Sequence, residues 1–309
     1  MERSPIVKAK GLTKTYGDLV AVNAIDFQIE AGTCYGFLGP NGAGKTTVMR
    51  MIYCATPSSD GSLIVNDLDV NDDMSAVKRS IGVVTQDDSL DYDLNVMNNL
   101  LVYARYYDMK REDALIRAEE LIDFFQLGEK RDENVRRLSG GMKRRLQIAR
   151  ALINKPDVLI LDEPSTGLDP QARHHVWAKC HELIDRGVTL LLTTHYMDEA
   201  EQLCDRMAVM DRGRIVTEGS PWELINQEIP PQVVEVRGDT EQRRKILEVV
   251  QDEVEYSESL ADRLLLYSSG STNLYTRIQE LDLKVKTVLS RRSSLEDVFL
   301  KLTGRELID

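Results

Sequence analysis

Residues 33–52 read TCYGFLGPNGAGKTTVMRMI, and this stretch decides the fold. The apolar residues up to Leu38 are typical of a strand, and the residues after Thr46 have the pattern of a helix. Between them, Gly39–Thr46 fits G-x-x-x-x-G-K-[ST] in the strand-to-helix context that this motif requires. Its glycines let backbone N–H groups converge on phosphate oxygens, and the helix start adds its positive end. The stretch predicts a loop that binds a nucleoside triphosphate, with Lys45 reaching the β- and γ-phosphates and Thr46 binding Mg²⁺.

A second apolar run ends in two carboxylates. Val158–Asp162 reads VLILD and is followed by Glu163. A continuous apolar run is typical of a parallel strand covered on both faces, and open α/β sheets bind ligands at the carboxyl ends of such strands. A strand that merely ends in a polar loop would look the same on its own. With the phosphate loop in the same chain, we expect Asp162 to hold Mg²⁺ and Glu163 to polarise a water near the γ-phosphate.

A third segment with serine and glycines lies between these two. Ser139-Gly140-Gly141 precedes the basic run Lys143–Arg145 at the start of a predicted helix. Such a start can form a second anion-binding nest, although an ordinary serine-capped helix has the same sequence. The basic run has an equally plain interpretation, a solvated helix face that complements nearby acidic surface.

Composition sets the protein class. The chain has 309 residues, 42% hydrophobic and 29% charged, which predicts about two globular domains. Its net charge of −12 gives no global reason to bind nucleic acid or an anionic membrane. Four widely spaced cysteines indicate reduced core thiols. The N-terminus lacks the apolar stretch of a signal peptide, and no apolar run approaches the ~18 residues of a membrane span, so we expect no membrane crossing by this chain itself.

The order of elements predicts two parts. Helical periodicity from Val96 to Leu127 indicates an all-helical insert, and Arg206–Asp211 with Arg214–Glu218 reads as a hairpin. Ile229-Pro230-Pro231 is the best candidate boundary. The following pattern is a split βαβ, ferredoxin-like layout that ends in a helix at Ser294–Leu302. Its predicted strands and helices are, in order, Val233–Arg237, Glu241–Val250, Val254–Ser257, Arg263–Tyr267, Thr272–Leu281 and Lys284–Leu289.

These motifs in this order resemble the ABC-type ATPases, the nucleotide-binding subunits of ATP-binding cassette transporters. Residues 138–142, LSGGM, resemble the family signature LSGGQ with Met142 in place of glutamine. Residues 165–169, STGLD, resemble the loop that crosses the family's dimer interface. The resemblance implies an α/β P-loop NTPase fold with an antiparallel β subdomain and a helical insert at about 90–140. The resemblance covers the ATPase domain at 5–222, and the break at the prolines leaves a small α+β accessory domain at 231–309.

The resemblance also implies roles for individual residues. Tyr16 would stack on adenine, Gln86 would contact Mg²⁺ and water, and His195 would contact the γ-phosphate. The catalytic residues would be Glu163, His195 and Lys45, and the Mg²⁺ ligands Thr46, Gln86 and Asp162. The nucleotide contacts would be Tyr16, Gly39, Pro40, Asn41, Gly42, Ala43, Gly44, Lys45, Thr46, Thr47, Gln86, Ser139, Gly140, Gly141 and Asp169.

The partners follow from the same resemblance. Two subunits would pair head to tail around two ATP–Mg²⁺, each ATP lying between one phosphate loop and the partner's Ser139–Gly141. The dimer would drive a separate transmembrane permease from the cytoplasmic face of the membrane, with no nucleic acid involved. Residues 291–306, RRSSLEDVFLKLTGRE, are similar to the C-terminal signature of type-2 exporter ATPases. That group drives the export of drugs, lipids and polysaccharides. Within it, residues 140–154, 169–177 and 193–195 look most like the nodulation-factor exporter ATPases.

Two alternatives from other classes stay open. A soluble ABC-type ATPase without a transport role would need two cassettes or a long coiled-coil arm, and only one phosphate loop is present. A non-catalytic regulatory cassette would be expected to lack Glu163 or His195, and both are present. The C-terminal domain is interpreted either as a regulatory, dimer-strengthening part or as a passive spacer.

Overall fold

The computed structural model describes residues 5–270, 273–281 and 285–303. The chain divides into two compact units, Met1–Glu218 and Gly219–Asp309. The predicted helix start at Thr272, the predicted strand start at Lys284 and the last signature residues up to Glu306 lie outside the described residues.

The first unit contains ten strands and seven helices in alternating groups. In chain order they are β1 (Pro5–Tyr16), β2 (Leu19–Glu30), β3 (Cys34–Leu38), α1 (Lys45–Ile52), β4 (Asp60–Val65), β5 (Leu68–Asp69), α2 (Met74–Ser80), β6 (Ile81–Val84), α3 (Val96–Tyr106), α4 (Arg111–Phe124), α5 (Gly140–Ala151), β7 (Val158–Asp162), α6 (Pro170–Asp185), β8 (Thr189–Thr194), α7 (Met197–Leu203), β9 (Arg206–Asp211) and β10 (Arg214–Gly219).

Two sheets organise this unit. The six-stranded sheet has the order β10-β9-β3-β8-β7-β6, and its β3, β6, β7, β8 and β9 run parallel. A smaller antiparallel sheet has the order β2-β1-β4-β5. Every residue of β3, β7 and β8 is buried, which is the reason for their continuous apolar sequences. The carboxyl ends of β3, β7 and β8 therefore meet at one edge, where the predicted site residues follow them.

The helical insert is confirmed as two helices, α3 and α4. Both lie within the predicted span from Val96 to Leu127. Asn95 caps α3 by accepting a hydrogen bond from the Asn98 N–H at 2.7 Å. Apolar residues at helical spacing are buried, among them Leu100, Ala104, Ala118, Leu121 and Phe125.

The second unit confirms the ferredoxin-like prediction. Its elements are α8 (Pro221–Glu228), β11 (Gln232–Arg237), α9 (Thr240–Val250), β12 (Tyr256–Ser259), β13 (Arg263–Ser268), α10 (Leu274–Glu280), β14 (Thr287–Arg292) and α11 (Leu295–Thr303). The antiparallel sheet has the order β12-β13-β11-β14. One apolar cluster joins its strands to α9 and α10, and another joins them to α8 and α11.

The structural break lies earlier than the predicted boundary. The sequence prediction of the boundary rests on the prolines at 230 and 231. Helix α8 precedes these prolines and already belongs to the second unit. Ile225 and Ile229 join the apolar cluster of that unit, and a capping box between Ser220 and Glu223 starts the helix. The functional bounds 5–222 and 231–309 stay predictions.

All four cysteines are free and buried, as expected for reduced core thiols. In the described ranges, none of the helices combines the length and the apolar character needed to cross a bilayer.

Candidate nucleotide site

The phosphate loop takes the predicted place between β3 and α1. Gly42 and Gly44 have φ of 81° and 105°, in the left-handed region that favours glycine. A Cβ at Gly44 would lie 2.6 Å from the Ala21 carbonyl oxygen, so no larger residue fits there. The Lys45 Nζ is buried and donates to the carbonyl oxygens of Gly39 at 2.6 Å and Pro40 at 3.1 Å. The loop is thus closed around a lysine whose ammonium is held at its centre.

The start of α1 differs from the starts of α5 and α6, the two other helices whose capping residues are predicted nucleotide contacts. Ser139 caps α5 and Asp169 caps α6, each accepting a backbone N–H with its side chain. In the described structure, Gly44 provides no such side-chain cap for α1. The first N–H groups of a helix that lack a cap are available to an external anion, and the helix dipole favours one. The start of α1 is therefore suited to a phosphate group.

A cavity of about 530 Å³ lies over this loop. Ten of its lining residues are predicted site residues: Tyr16, Asn41, Gly42, Ala43, Gly44, Lys45, Thr46, Thr47, Gln86 and Glu163. The other five were not singled out in the sequence: Leu19, Val20, Ala21, Arg212 and Gly213. Tyr16 is 45% exposed, and the Lys14 Nζ lies 5.0 Å from its ring centroid. A flat aromatic ring at one end and a phosphate loop at the other match the two ends of a nucleotide.

Asp162 lies at the carboxyl end of β7 and is only 4% exposed. Burial raises the pKa of its carboxyl group, and a hydrogen bond from the Thr193 hydroxyl to Oδ1 opposes that rise. Burial likewise lowers the pKa of Lys45, while the charges of Glu163 and Asp162 act in the other direction. The lysine and the two carboxylates therefore interact within one partly dehydrated site.

Glu163 is where the predicted catalytic residues meet. Its Oε1 lies 3.2 Å from the Nδ1 of His195. Its Oε2 accepts hydrogen bonds from Gln86 Nε2 at 3.3 Å and Thr166 Oγ1 at 3.1 Å. Its φ is 49°, a left-handed conformation that is uncommon for glutamate and clusters at functional sites. Because its carboxylate also lines the cavity, the structure brings Glu163, His195 and Gln86 together beside the phosphate loop.

The second anion nest lies apart from this cavity. Ser139 and Gly140 are exposed at the start of α5, and Asp169 is exposed at the start of α6. A Cβ at Gly141 would lie 2.8 Å from the Cβ of Ala172, so this glycine allows close packing of α5 on α6. Ser139, Gly140, Gly141 and Asp169 do not line the cavity. Four other predicted residues also lie outside its lining, namely Gly39, Pro40, Asp162 and His195.

Sequence reasoning missed two residues that support the carboxylates. Thr193 is buried in β8, and its hydroxyl contacts both Asp162 and the N–H of Glu163. The interpretation of the basic run as a solvated helix face is wrong for Arg144. Its guanidinium is buried and donates to main-chain carbonyls at the carboxyl end of β7, including those of Asp162 and Glu163.

Two family models match the chain. The model described as ABC transporter matches residues 22–166. The model described as the C-terminal domain of the nodulation factor export protein NodI matches residues 242–304.

Curated relatives match along nearly the full length. A Nod factor export ATP-binding protein I from Cupriavidus metallidurans is 42% identical, over 98% of this chain and 99% of the relative. The protein of the same name from Burkholderia lata is 45% identical, over 97% of each chain. That from Rhizobium meliloti is 43% identical, over 98% of this chain and 89% of the relative.

Solved structures confirm the cassette fold. A dimeric ATP-binding cassette in a post-hydrolysis state, bound to ADP and Pi, is 27% identical with a TM-score of 0.64, covering 69% of this chain and 98% of that one. A subunit of the cbiONQ transporter complex from Clostridium perfringens is 26% identical with a TM-score of 0.68, covering 80% and 96%. The chain therefore belongs to the ABC transporter family as an ATP-binding, ATP-hydrolysing export subunit, in the group of the Nod factor export ATP-binding proteins.

Proposed function

We propose that this export ATPase works as a homodimer that encloses two ATP–Mg²⁺ and drives a separate membrane permease. The observation that carries the proposal is the split of the predicted contacts. The cavity joins the phosphate loop to Glu163, whereas Ser139–Gly141 lies outside it on the same chain. A second chain placed head to tail would bring its own Ser139–Gly141 to the open side of the cavity.

At one end of the proposed nucleotide site, α1 and Lys45 would bind the phosphate groups. The uncapped N–H groups of α1 would bind the β- and γ-phosphates, and the buried Lys45 ammonium would balance their charge. At the other end, the exposed ring of Tyr16 would stack on the adenine.

The residues fit Mg²⁺. Thr46, Gln86 and Asp162 offer hydroxyl, amide and carboxylate oxygens, the hard ligands that Mg²⁺ prefers. In the described ranges, no three His, Cys, Asp or Glu side chains surround a common metal position. The remaining ligands would therefore come from phosphate and water, as is usual for Mg²⁺ with nucleotides. When bound, Mg²⁺ would neutralise charge on the β- and γ-phosphates.

Glu163 is the proposed general base. Its carboxylate lines the cavity and is oriented by His195, Gln86 and Thr166, so it can accept a proton from a water facing the γ-phosphate. His195, on the same carboxylate, would contact the γ-phosphate as negative charge develops there. Catalysis by such a site consists mainly of positioning and electrostatic stabilisation.

The dimer and the permease are supported by the relatives. One neighbour with a similar fold is a dimer bound to ADP and Pi, and its family works in transporters. We propose that Gln86 and the α3–α4 insert pass dimer closure to the permease, at the cytoplasmic face of the membrane. The relatives' names indicate Nod factors as the exported class.

The test is dimerisation of Glu163→Gln, which keeps the shape of the side chain but removes the base. With saturating Mg²⁺–ATP this variant should accumulate as an ATP-bound dimer in size-exclusion chromatography with light scattering. The control Glu112→Gln changes an exposed glutamate of α4 and should behave like the unmodified chain. A Glu163→Gln variant that remains monomeric at every ATP concentration would count against the enclosed dimer.

A further inference from the structure

Arg144 places a buried guanidinium behind the proposed base. It lies in the second turn of α5 and is 7% exposed. Its hydrogen bonds run from Nε to the Pro164 carbonyl at 2.8 Å, from Nη2 to the carbonyls of Asp162 and Glu163 at 3.0 Å each, and from Nη1 to the Thr85 carbonyl at 3.0 Å and Gln147 Oε1 at 2.9 Å.

Three of the four carbonyls flank the strained residue of the site. They belong to consecutive residues, with Glu163 in the middle. The N–H of Glu163 donates to the Thr193 carbonyl at 3.1 Å. Glu163 is therefore held on its carbonyl side by α5 and on its N–H side by β8. A left-handed glutamate persists only where the surroundings over-determine its backbone.

The geometry and the charge of the arginine side chain both bear on its role. Only its planar fork presents five donors in fixed directions, so it can bind carbonyls on two different loops at once. All the acceptors that the structure describes for it are neutral oxygens, and burial of the cation lowers its pKa, although the charges of Glu199 and Asp162 oppose this shift without a direct ion pair in the described ranges. A buried charge without an ion-pair partner is expensive, and an apolar side chain would fill the space at a lower cost.

Arg144 also joins three parts of the proposed site. It lies on the helix that begins at the Ser139–Gly141 nest, and it holds the carbonyl of Thr85, the residue before Gln86. A shift of α5 when a phosphate binds the nest would reach the backbone of Glu163 and of Gln86 through this one side chain.

We infer that Arg144 is a positioning residue for ATP hydrolysis, which fixes the backbone of Glu163 and couples it to the helix of the second anion nest. The inference rests on the proposed role of Glu163 as general base. An Arg144→Lys variant keeps the charge but cannot hold both loops, so the Glu163 carboxylate loses its fixed place.

The experiment is a double-mutant cycle on the full chain, measured as single-turnover hydrolysis at saturating Mg²⁺–ATP. Alone, Arg144→Lys should lower the rate by about 10- to 100-fold, the range expected for a misplaced catalytic group, with less than a twofold change in ATP affinity. In the Glu163→Gln background, where the base is already absent, it should lower the residual rate less than twofold. The matched control Arg145→Lys changes a cation of the same helix that bonds the Phe125 carbonyl, away from the site.

The outcomes separate the two claims. Equal losses in both backgrounds, or a loss of ATP affinity that parallels the loss of rate, would overturn the positioning role of Arg144. Arg144→Gln, which retains a single amide donor group, goes through the same cycle and decides the question if the lysine variant is poorly folded by thermal unfolding. If Glu163→Gln itself hydrolyses ATP at the unmodified rate, the proposed function fails instead.

Discussion

Thr193→Val removes a hydroxyl from the buried support of the two carboxylates. Thr193 is fully buried, and its hydroxyl donates to Asp162 Oδ1 while its own carbonyl binds the N–H of Glu163. Valine has the same shape and keeps the carbonyl contact. The change therefore removes one hydrogen bond to a buried carboxylate and the hydroxyl's 3.2 Å contact from the N–H of Glu163, which keeps its bond to the Thr193 carbonyl.

The magnitude for Asp162 follows from the hydrogen bond that its carboxylate loses. A hydrogen bond to a charged group is worth about 1.5–3 kcal/mol, and one pH unit of titration corresponds to about 1.4 kcal/mol. Burial already raises the pKa of Asp162, and the Thr193 hydroxyl opposes this effect. Its removal disfavours the ionised carboxylate further. If Mg²⁺–ATP hydrolysis needs ionised Asp162, the acid limb of kcat/KM should move to higher pH by about one unit or more.

The assay is a pH profile of Mg²⁺–ATP hydrolysis for the unmodified chain, Thr193→Val and Thr193→Ser. Serine keeps the hydroxyl, so its acid limb should stay with that of the unmodified chain. An unmoved acid limb in Thr193→Val, or an equal displacement in both variants, would refute the reasoning that connects Thr193 to Asp162.

Two further predictions concern other buried charges. Lys45→Ala should lower ATP affinity at least tenfold in isothermal titration because it removes the cation inside the phosphate loop, and an unchanged affinity would contradict that role. Asp297→Asn should lower the free energy of unfolding of the second unit by about 2 kcal/mol at pH 7, because it breaks the buried bidentate pair with the partly exposed Arg291. Burial opposes the ionised Asp297, but Arg291 outweighs it and lowers the pKa, so this difference should be full at pH 7 and decrease as the pH falls below the carboxyl's usual pKa, as measured by hydrogen exchange at pH 7 and pH 3.

Much of the site could be predicted because its chemistry is local in the sequence. The spacing of Gly39–Thr46 requires a closed loop, and an apolar run that ends in Asp162 and Glu163 leads the carboxylates to the edge where β3 also ends. The contact between Glu163 and His195 follows from the same rule, because His195 comes directly after β8.

The rest depended on tertiary packing. A run of three basic residues at the start of a helix does not show which side chain points inward. The sequence therefore gives no sign that the Arg144 side chain is buried. Thr193 is one of two consecutive threonines in an apolar strand, and only its contacts distinguish it from Thr194. The sequence does not show that α8 belongs to the second unit, because a short amphipathic helix can pack on the domain before it or on the domain after it.

The most direct test of the account is the rate of Mg²⁺-dependent ATP hydrolysis by the full chain as a function of protein concentration, with Glu163→Gln alongside. A site completed by a second chain predicts that the rate rises faster than linearly with concentration and that the substitution abolishes it. A rate that is strictly linear in concentration and indifferent to Glu163→Gln would contradict both the shared site and the role of Glu163.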